Sequence, residues 1–345
     1  MEYRHNRGVE FVINIHIALC VEDIVNKLQY IKEFGITIFA IKAIRHITLK
    51  SNSKFSWKVN AINENAIEKF LTKTVEKAKV TNKNIELRQI RNNVKDEPIW
   101  VMWYQGMENA PEIVQCCVES IKEHSTGHEV IVLSEGNLHE YIELPEFVME
   151  KFRKGYISRT HLSDMIRLNL LYLYGGAWLD ATLLVTDDIP VEYFQKDIFS
   201  LRFGKETKDP SHGRWTTFCF FAKKGNTLIE QTLKYHYYYW KQENYPVDYV
   251  MFDYFINYII KHDNNAARQI AEITTTNVAV FDLIDRLNTP YEKNMPLVND
   301  KGTIFSKLSW KRQYMTVIEG KQTVYGYLLE RYLKVENSNE ELLKI

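Results

Sequence analysis

The chain is poor in the residues that punctuate or staple a fold. Glycine and proline together number 22 of 345, well under the usual share of about 12%. That argues against a series of tight hairpins, and so against an all-β sandwich, and for long helices with short connections. Cysteine is scarce as well: Cys20, Cys116, Cys117 and Cys219 form no CxxC pair, and two of them are adjacent. Neither a disulfide framework nor a zinc ribbon fits, so a reduced, cytoplasmic protein is expected. No uncharged apolar run reaches the length of a spanning helix, and no basic start leads into an apolar run with a cleavage site, so neither a membrane span nor a signal peptide is expected. The phosphate-binding Gly-x-x-x-x-Gly-Lys loop, the Gly-x-Ser-x-Gly elbow and the His-Glu-x-x-His zinc motif are all missing.

An excess of either charge is absent too, with 44 basic against 44 acidic residues, but the balance hides an asymmetry. Residues 1–95 carry net +8 and the remaining 250 carry net −8. Between Glu33 and Glu64 there is no acidic side chain, while Lys42, Arg45, Lys50, Lys54 and Lys58 alternate with Phe39, Ile41, Ile44, Phe55 and Trp57. Residues 34–63 are therefore a candidate peripheral contact with an anionic membrane surface, or else a solvated basic face. Nucleic acid is not an expected partner, since the whole chain is neutral and none of the usual modules is present.

What the sequence does contain is globular, with 45% hydrophobic residues and no internal repeat. Apolar spacing predicts helices over 21–49 and 65–80, although 11–21 reads equally as a strand, and residues 81–98 form a polar linker. Residues 1–95 are thus read as a mainly helical basic region and 96–345 as a second domain. From Ile99 short β-branched runs alternate with helical spacing: strand 99–104, helix 112–124 and strand 129–133 make a βαβ unit and imply a parallel sheet. Further strands are expected at 178–185, 198–203 and 217–222, and helices at 228–242, 250–262 and 324–335.

The stretch from Thr160 to Thr182 carries the chemistry. Ser163 is a plausible N-cap, and the helix after it is apolar nearly all round except for Asp164, Arg167 and Asn169. Asp164 and Arg167 share one face of its first turn. Gly175 suits the left-handed residue that ends a helix, Gly176 allows a close approach, and a strand then places Trp178, Asp180 and Thr182 on one face. A carboxylate inside an apolar strand needs a partner, either a cation, a ligand hydroxyl or Arg167.

Three pieces together resemble the capsular polysaccharide synthesis family of nucleotide-sugar glycosyltransferases, related to the glycosyltransferases with an Asp-x-Asp motif. They are Trp100-Val101-Met102-Trp103-Tyr104-Gln105-Gly106 with Ala110-Pro111, His161-Leu162-Ser163-Asp164-Met165-Ile166-Arg167, and Gly175-Gly176-Ala177-Trp178-Leu179-Asp180-Ala181-Thr182. The resemblance continues more weakly through Asp248-Tyr249, Asp253-Tyr254-Phe255 and Lys307-Leu308-Ser309-Trp310-Lys311, and it leaves residues 1–90 uncovered. It implies an α/β fold of the GT-A type, a Rossmann-like nucleotide-sugar-binding sheet with helical N-terminal and C-terminal additions.

The activity it implies is transfer of a sugar, with retention expected or else inversion with a carboxylate such as Asp253 as base, and with a UDP-sugar as the expected donor, to a glycan or lipid-linked acceptor in capsular or surface polysaccharide synthesis. That chemistry would take place in the cytoplasm at the inner face of the membrane. Donor contacts fall by resemblance on Trp103, Tyr104, Gln105, His161, Asp164, Arg167, Gly176, Asp180, Lys307 and Trp310, and catalytic roles on Asp180 and Asp253. Where relatives have two carboxylates this chain has Asp180-Ala181-Thr182, so Mn2+ or Mg2+ would be held by Asp180 and Thr182 with the phosphates. Asp188 is too far along the chain to help, although Asp248 or Asp253 can approach from elsewhere. Lys307 or Lys311 can instead neutralise the diphosphate without a metal. The missing second carboxylate also keeps open a non-catalytic sugar-nucleotide or glycan-binding component, and a sugar-phosphate transferase is a third reading.

Overall fold

The computed structural model describes residues 5–81 and 87–334, with side chains over 27–77 and 87–334. Two long helices come first, α1 (His5–Thr48) and α2 (Lys54–Thr81). α1 is broken at Gly35, whose φ of 83° lies outside the helical region. The strand alternative for residues 11–21 is therefore not adopted. Then follow β1 (Ile99–Met102), α3 (Glu112–Glu123), β2 (Val130–Leu133), α4 (Glu146–Arg153), α5 (Arg159–Leu173), β3 (Gly176–Leu179), β4 (Leu183–Val185), α6 (Val191–Gln195), β5 (Ile198–Ser200) and β6 (Cys219–Ala222). Helices α7 (Thr227–Gln242), α8 (Met251–His262) and α9 (Asn264–Ala271), strands β7 (Phe305–Lys307), β8 (Val317–Ile318) and β9 (Lys321–Gln322), and α10 (Val324–Leu333) complete the chain.

The main sheet is mixed, in the order β2-β1-β3-β6-β5. β1 pairs in parallel with both β2 and β3, whereas β6 is antiparallel to β3 and to β5. Strand alternation divides the apolar side chains between two cores. Trp100, Trp178 and Phe220 face α5, α7 and α8, while Ile99, Val101, Ala177, Leu179 and Phe221 face α3 and α10. The first of these cores also takes Phe34, Ile67, Leu71 and Val75 from the N-terminal helices. Residue 95 is accordingly not a packing boundary. The described part of the expected linker is laced to the body, with the Ile90 amide donating to the Tyr141 carbonyl at 3.1 Å and the Arg91 amide to the Tyr174 hydroxyl at 3.2 Å; residues 82–86 lie outside the described residues.

Two local readings need correction. The strand expected over 178–185 is interrupted. β3 ends at Leu179, the chain turns with the Leu183 amide donating to the Asp180 carbonyl at 2.9 Å, and β4 joins a second sheet against β7. The helix expected to be capped by Ser163 starts five residues earlier, capped by Ser158, whose hydroxyl accepts from the His161 amide. Asp164 and Arg167 are therefore mid-helix and buried, not at an exposed entrance. Cys116, Cys117 and Cys219 are buried free thiols, with the Cys116 thiol pushed up to about 12 mainly by burial.

Gly175 and Gly176 link α5 to β3 at φ 75° and 88°. A Cβ on Gly176 would stand 2.0 Å from the Pro98 carbonyl oxygen, which itself accepts the Ala177 amide at 2.9 Å. Gly176→Ala is expected to lower stability by more than about 3 kcal/mol, or to prevent folding. Gly225→Ala, at φ 75° but with open space around it, should cost only about 1–2 kcal/mol. Thermal denaturation of the two variants checks this, and similar melting points would contradict the clash.

Candidate active site

β1 lies between β2 and β3; the connection from β1 to β2 runs through α3 on one face of the sheet, and the connection from β2 to β3 runs through α5 on the other. Such a switch point opens a crevice at the carboxyl ends of the strands. A cleft of about 540 Å3 is found there, lined by Met102, Trp103 and Gln105 after β1, by Asp180 to Thr182 after β3, and by Lys307 to Lys311 after β7. Arg159, Ser163 and Arg167 from α5 and Tyr249 close its other sides.

Asp180 is the centre of the cleft. Its Oδ1 accepts from Arg167 Nη2 at 3.2 Å and from Trp178 Nε1 at 2.9 Å, and its Oδ2 accepts from Lys307 Nζ at 2.6 Å. Lys307 Nζ also donates to the Thr182 hydroxyl at 2.8 Å. Burial pushes the Asp180 carboxyl up, but Lys307, Arg167 and these hydrogen bonds outweigh burial and hold it at about 2. Behind it, Arg167 Nη1 donates to Asp164 Oδ1 at 3.0 Å, and the guanidinium lies over the rings of Trp178 and Phe252. Burial raises Asp164 to about 7 against the pull of Arg167, and the charge of Asp180 adds to the rise. Arg167 Nε and Trp103 Nε1 are buried donors without an acceptor among the described residues.

The structure brings together eight of the residues expected from sequence: Trp103, Gln105, Arg167, Asp180, Thr182, Lys307, Trp310 and Lys311. Trp310 is 47% exposed and meets Trp103 edge to face at 5.9 Å. The other expected residues lie elsewhere. Tyr104 lies in the turn after β1, packs on Phe152 and borders a different cavity. His161 is buried, its Nδ1 at 2.9 Å from the Ser158 hydroxyl and its ring against Trp240, and burial lowers its pKa. Asp164 reaches the cleft only through Arg167. Gly176 stands at the opposite end of β3 from Asp180 and borders a different cavity, so it makes no contact in the cleft and serves chain packing.

Asp253 does not line the cleft. It is buried on α8, accepts from Trp215 Nε1 at 2.7 Å, and is raised to about 8 by burial and by the charge of Asp209. Asp248 is taken by Lys42 of α1 at 2.7 Å. Arg159, Ser163 and Tyr249 were not expected in the cleft. The Ser158 cap, read as such, would have turned Arg159 and Ser163 onto one helical face.

Mn2+ or Mg2+ calls for several hard anionic oxygens. The cleft offers one carboxylate with both oxygens engaged, and an ammonium stands between that carboxylate and the Thr182 hydroxyl. No group of three or more His, Cys, Asp or Glu side chains gathers among the described residues. The residues as arranged do not fit a divalent ion held at Asp180 and Thr182. The charge balance of the lining points elsewhere, since Arg159, Arg167, Lys307 and Lys311 face a single acid, Asp180. That surplus suits an anionic ligand.

The family model described as capsular polysaccharide synthesis protein matches residues 46–328, so it begins inside α1 and covers α2, well before the resemblance noted from Ile99. O-glycosyltransferase PaGT of Phomopsis amygdali is 31% identical over 116 residues, 30% of this chain and 29% of that protein. Glycosyltransferase afumC of Aspergillus fumigatus (strain CBS 144.89 / FGSC A1163 / CEA10) is 34% identical over 96 residues, 25% of each chain. The chain thus spans under a third of the length of these curated relatives. The solved PaToxG Glycosyltransferase aligns over 61% of this chain and 83% of its own at 13% identity, with a TM-score of 0.34.

The raised Asp253 favours its protonated form in the folded state. Its contribution is complete below the ordinary carboxyl value near 4 and is lost as pH climbs towards 8. Asp253→Asn keeps an oxygen for the Trp215 indole and removes the titration. The variant is expected to match wild type near pH 4 and to exceed it near pH 8 by on the order of 1–3 kcal/mol. Melting curves of the two proteins across that range check this, and parallel curves would contradict it.

Proposed function

Because the chain belongs to the capsular polysaccharide synthesis protein family, we propose that it is a glycosyltransferase. It moves a sugar from a nucleotide diphosphate donor, with a UDP-sugar the expected one, to a glycan or lipid-linked acceptor in surface polysaccharide synthesis. On this reading the parallel half of the sheet acts as a donor platform of the GT-A type. The observation that carries it is the set of cations around Asp180 at the carboxyl ends of β1 and β3, next to the Trp103 and Trp310 rings.

An ammonium has three protons to donate. Asp180 and Thr182 take two of those of Lys307, which leaves one for a phosphate oxygen. Arg167 is held in place by Asp164 and Asp180, with its Nε still to be satisfied. In transfer, the bond between the anomeric carbon and the diphosphate oxygen breaks, the acceptor oxygen bonds to that carbon, and the nucleoside diphosphate leaves with the electron pair. Lys307, Arg167 and Lys311 stabilise the charge that develops on it. Asp180 fixes the position of these cations and is not itself the proton acceptor.

The single cleft carboxylate is held at about 2 with both oxygens engaged, which makes it a poor base. Asp253 is protonated at neutral pH and lies away from the cleft. An inverting displacement needs such a base. Retention does not, because the departing phosphate oxygen, on the same face as the acceptor, takes the hydroxyl proton. We therefore favour retention, with Lys307 supplying the counter-charge that relatives with two carboxylates take from a metal.

A thermal-shift titration with UDP, GDP, CDP and ADP, each with Mn2+ and with a chelator, tests the reading. One nucleotide is expected to raise the melting point equally in both conditions, and Lys307→Met to weaken its binding by about tenfold or more, the loss of a charge-assisted bond. Asp180→Ala is expected to abolish transfer. A shift that requires Mn2+ would refute the lysine counter-charge. No shift with any nucleotide would favour a glycan-binding component without catalysis.

A further inference from the structure

The α1–α2 hairpin carries apolar side chains that the fold does not use. Along α2 the buried row is Val59, Asn63, Ile67, Leu71 and Val75, which faces the body. Phe55 precedes that row by one turn and Ile62 lies off it, and they are 63% and 46% exposed. At the end of α1, Ile44 and Ile47, three apart and so on one face, are 47% and 81% exposed, and Leu49 follows at 38%. Between these groups the turn is short and polar, Ser51-Asn52-Ser53, and Lys50, Lys54 and Lys58 around it are exposed.

This tip is tied to the body by hydrogen bonds. Lys208 from the 205–214 loop donates to the carbonyls of Leu49 and Ser51 and, at 2.6 Å, to the Ser56 hydroxyl. Arg45 donates to Asn60 at 2.7 Å and to the Lys208 carbonyl at 2.8 Å. Higher up α1, Lys42 binds Asp248 and Tyr30 binds the Val247 carbonyl at 2.6 Å, beside Tyr249 on the cleft rim. The exposed apolar groups are thus presented by an anchored hairpin and are not the product of a loose end.

We propose that the tip of the α1–α2 hairpin is a docking wedge for an anionic lipid bilayer, in which Ile44, Ile47, Leu49 and Phe55 enter the headgroup region while Lys50, Lys54 and Lys58 meet the acidic lipids. Charge chooses the occupant. Residues 34–63 contain no acid, so a second copy seated on this face would set lysine against lysine, which is repulsive. A neutral apolar surface would leave the lysines without partners. A bilayer with acidic headgroups satisfies both sets of groups at once, because the apolar and basic side chains are interleaved. The inference stands on the hairpin alone and does not depend on the reaction proposed for the cleft.

Flotation of the full chain with vesicles tests it. The protein is expected to float with vesicles of equal parts phosphatidylcholine and phosphatidylglycerol and not with phosphatidylcholine alone. Lys50→Gln, Lys54→Gln and Lys58→Gln combined should lower partitioning about a hundredfold, from about fivefold per basic residue. Ile47→Ser with Phe55→Ser should also abolish flotation. Both variants should keep the wild-type melting point, since none of these side chains packs in a core. The proposal fails if wild type floats with neither vesicle, or equally with both. It fails too if either variant floats like wild type, or if the tip instead drives self-association that the variants remove.

Discussion

One carboxylate organises the cleft. Asp180 accepts from three donors that arrive from separate parts of the chain, Arg167 on α5, Trp178 on β3 and Lys307 at the end of β7. Taking such charges out of water costs several kcal/mol per ion, and only good geometry with every partner present offsets that cost. The arrangement meets the condition except at Arg167 Nε, which has no acceptor among the described residues. Two carboxylates, Asp164 and Asp180, are matched by two cations, and aromatic faces cover the guanidinium on Trp178 and Phe252. Breaking the buried Asp164–Arg167 pair leaves a charge uncompensated, a loss of about 3–5 kcal/mol, whereas Lys307 and Asp180 reach the open cleft and lose less. The network thus joins the helix, the sheet and the β7 segment, and its integrity is a condition of the fold as much as of the chemistry.

The backbone brings these donors together by a close approach at the far end of β3. Gly176 lies against the Pro98 carbonyl, which sets β3 in register beside β1 with Ile99 opposite Ala177 and Trp100 opposite Trp178. From there the strand runs to Asp180 at its carboxyl end, while β1 delivers Trp103 and Gln105 to the same edge. Gly176 therefore acts on the cleft from a strand's length away. A motif residue at one end of the strand fixes where the residues at the other end emerge.

Much of this was legible in the chain. The βαβ unit from Ile99, the strand after Gly175-Gly176 and the helices near 227–262 follow from apolar periodicity and are observed within a few residues. The reading of 178–185 as one strand went astray because the apolar alternation continues past Asp180, although the carboxylate forces the chain to turn out of the sheet. Ser163 and Ser158 both carry a capping hydroxyl, and local sequence does not decide between them; the packing of His161 on Trp240 does. The meeting of Lys307 with Asp180 spans 127 residues, and no spacing rule reaches so far. Asp253 received its catalytic role by resemblance, as the base of an inverting reaction. Burial in an aromatic helix is what keeps it protonated.

The disposition of the remaining acids bears on what the cleft can hold. Asp248 is drawn off by Lys42, Asp253 is neutral, and Asp164 lies behind Arg167. Four cations and one carboxylate therefore face the opening. A dication added to that set would deepen an existing surplus of positive charge, and it would have to displace the Lys307 ammonium from between Asp180 and Thr182. Two ionised phosphates would instead remove most of the surplus and take up the third proton of Lys307. The α1–α2 hairpin contributes to this bias from outside the cleft, because Lys42 removes the one other acid that the neighbouring segment could have offered. Helices that look like an appendage in the sequence thus help set the sign of the field at the site.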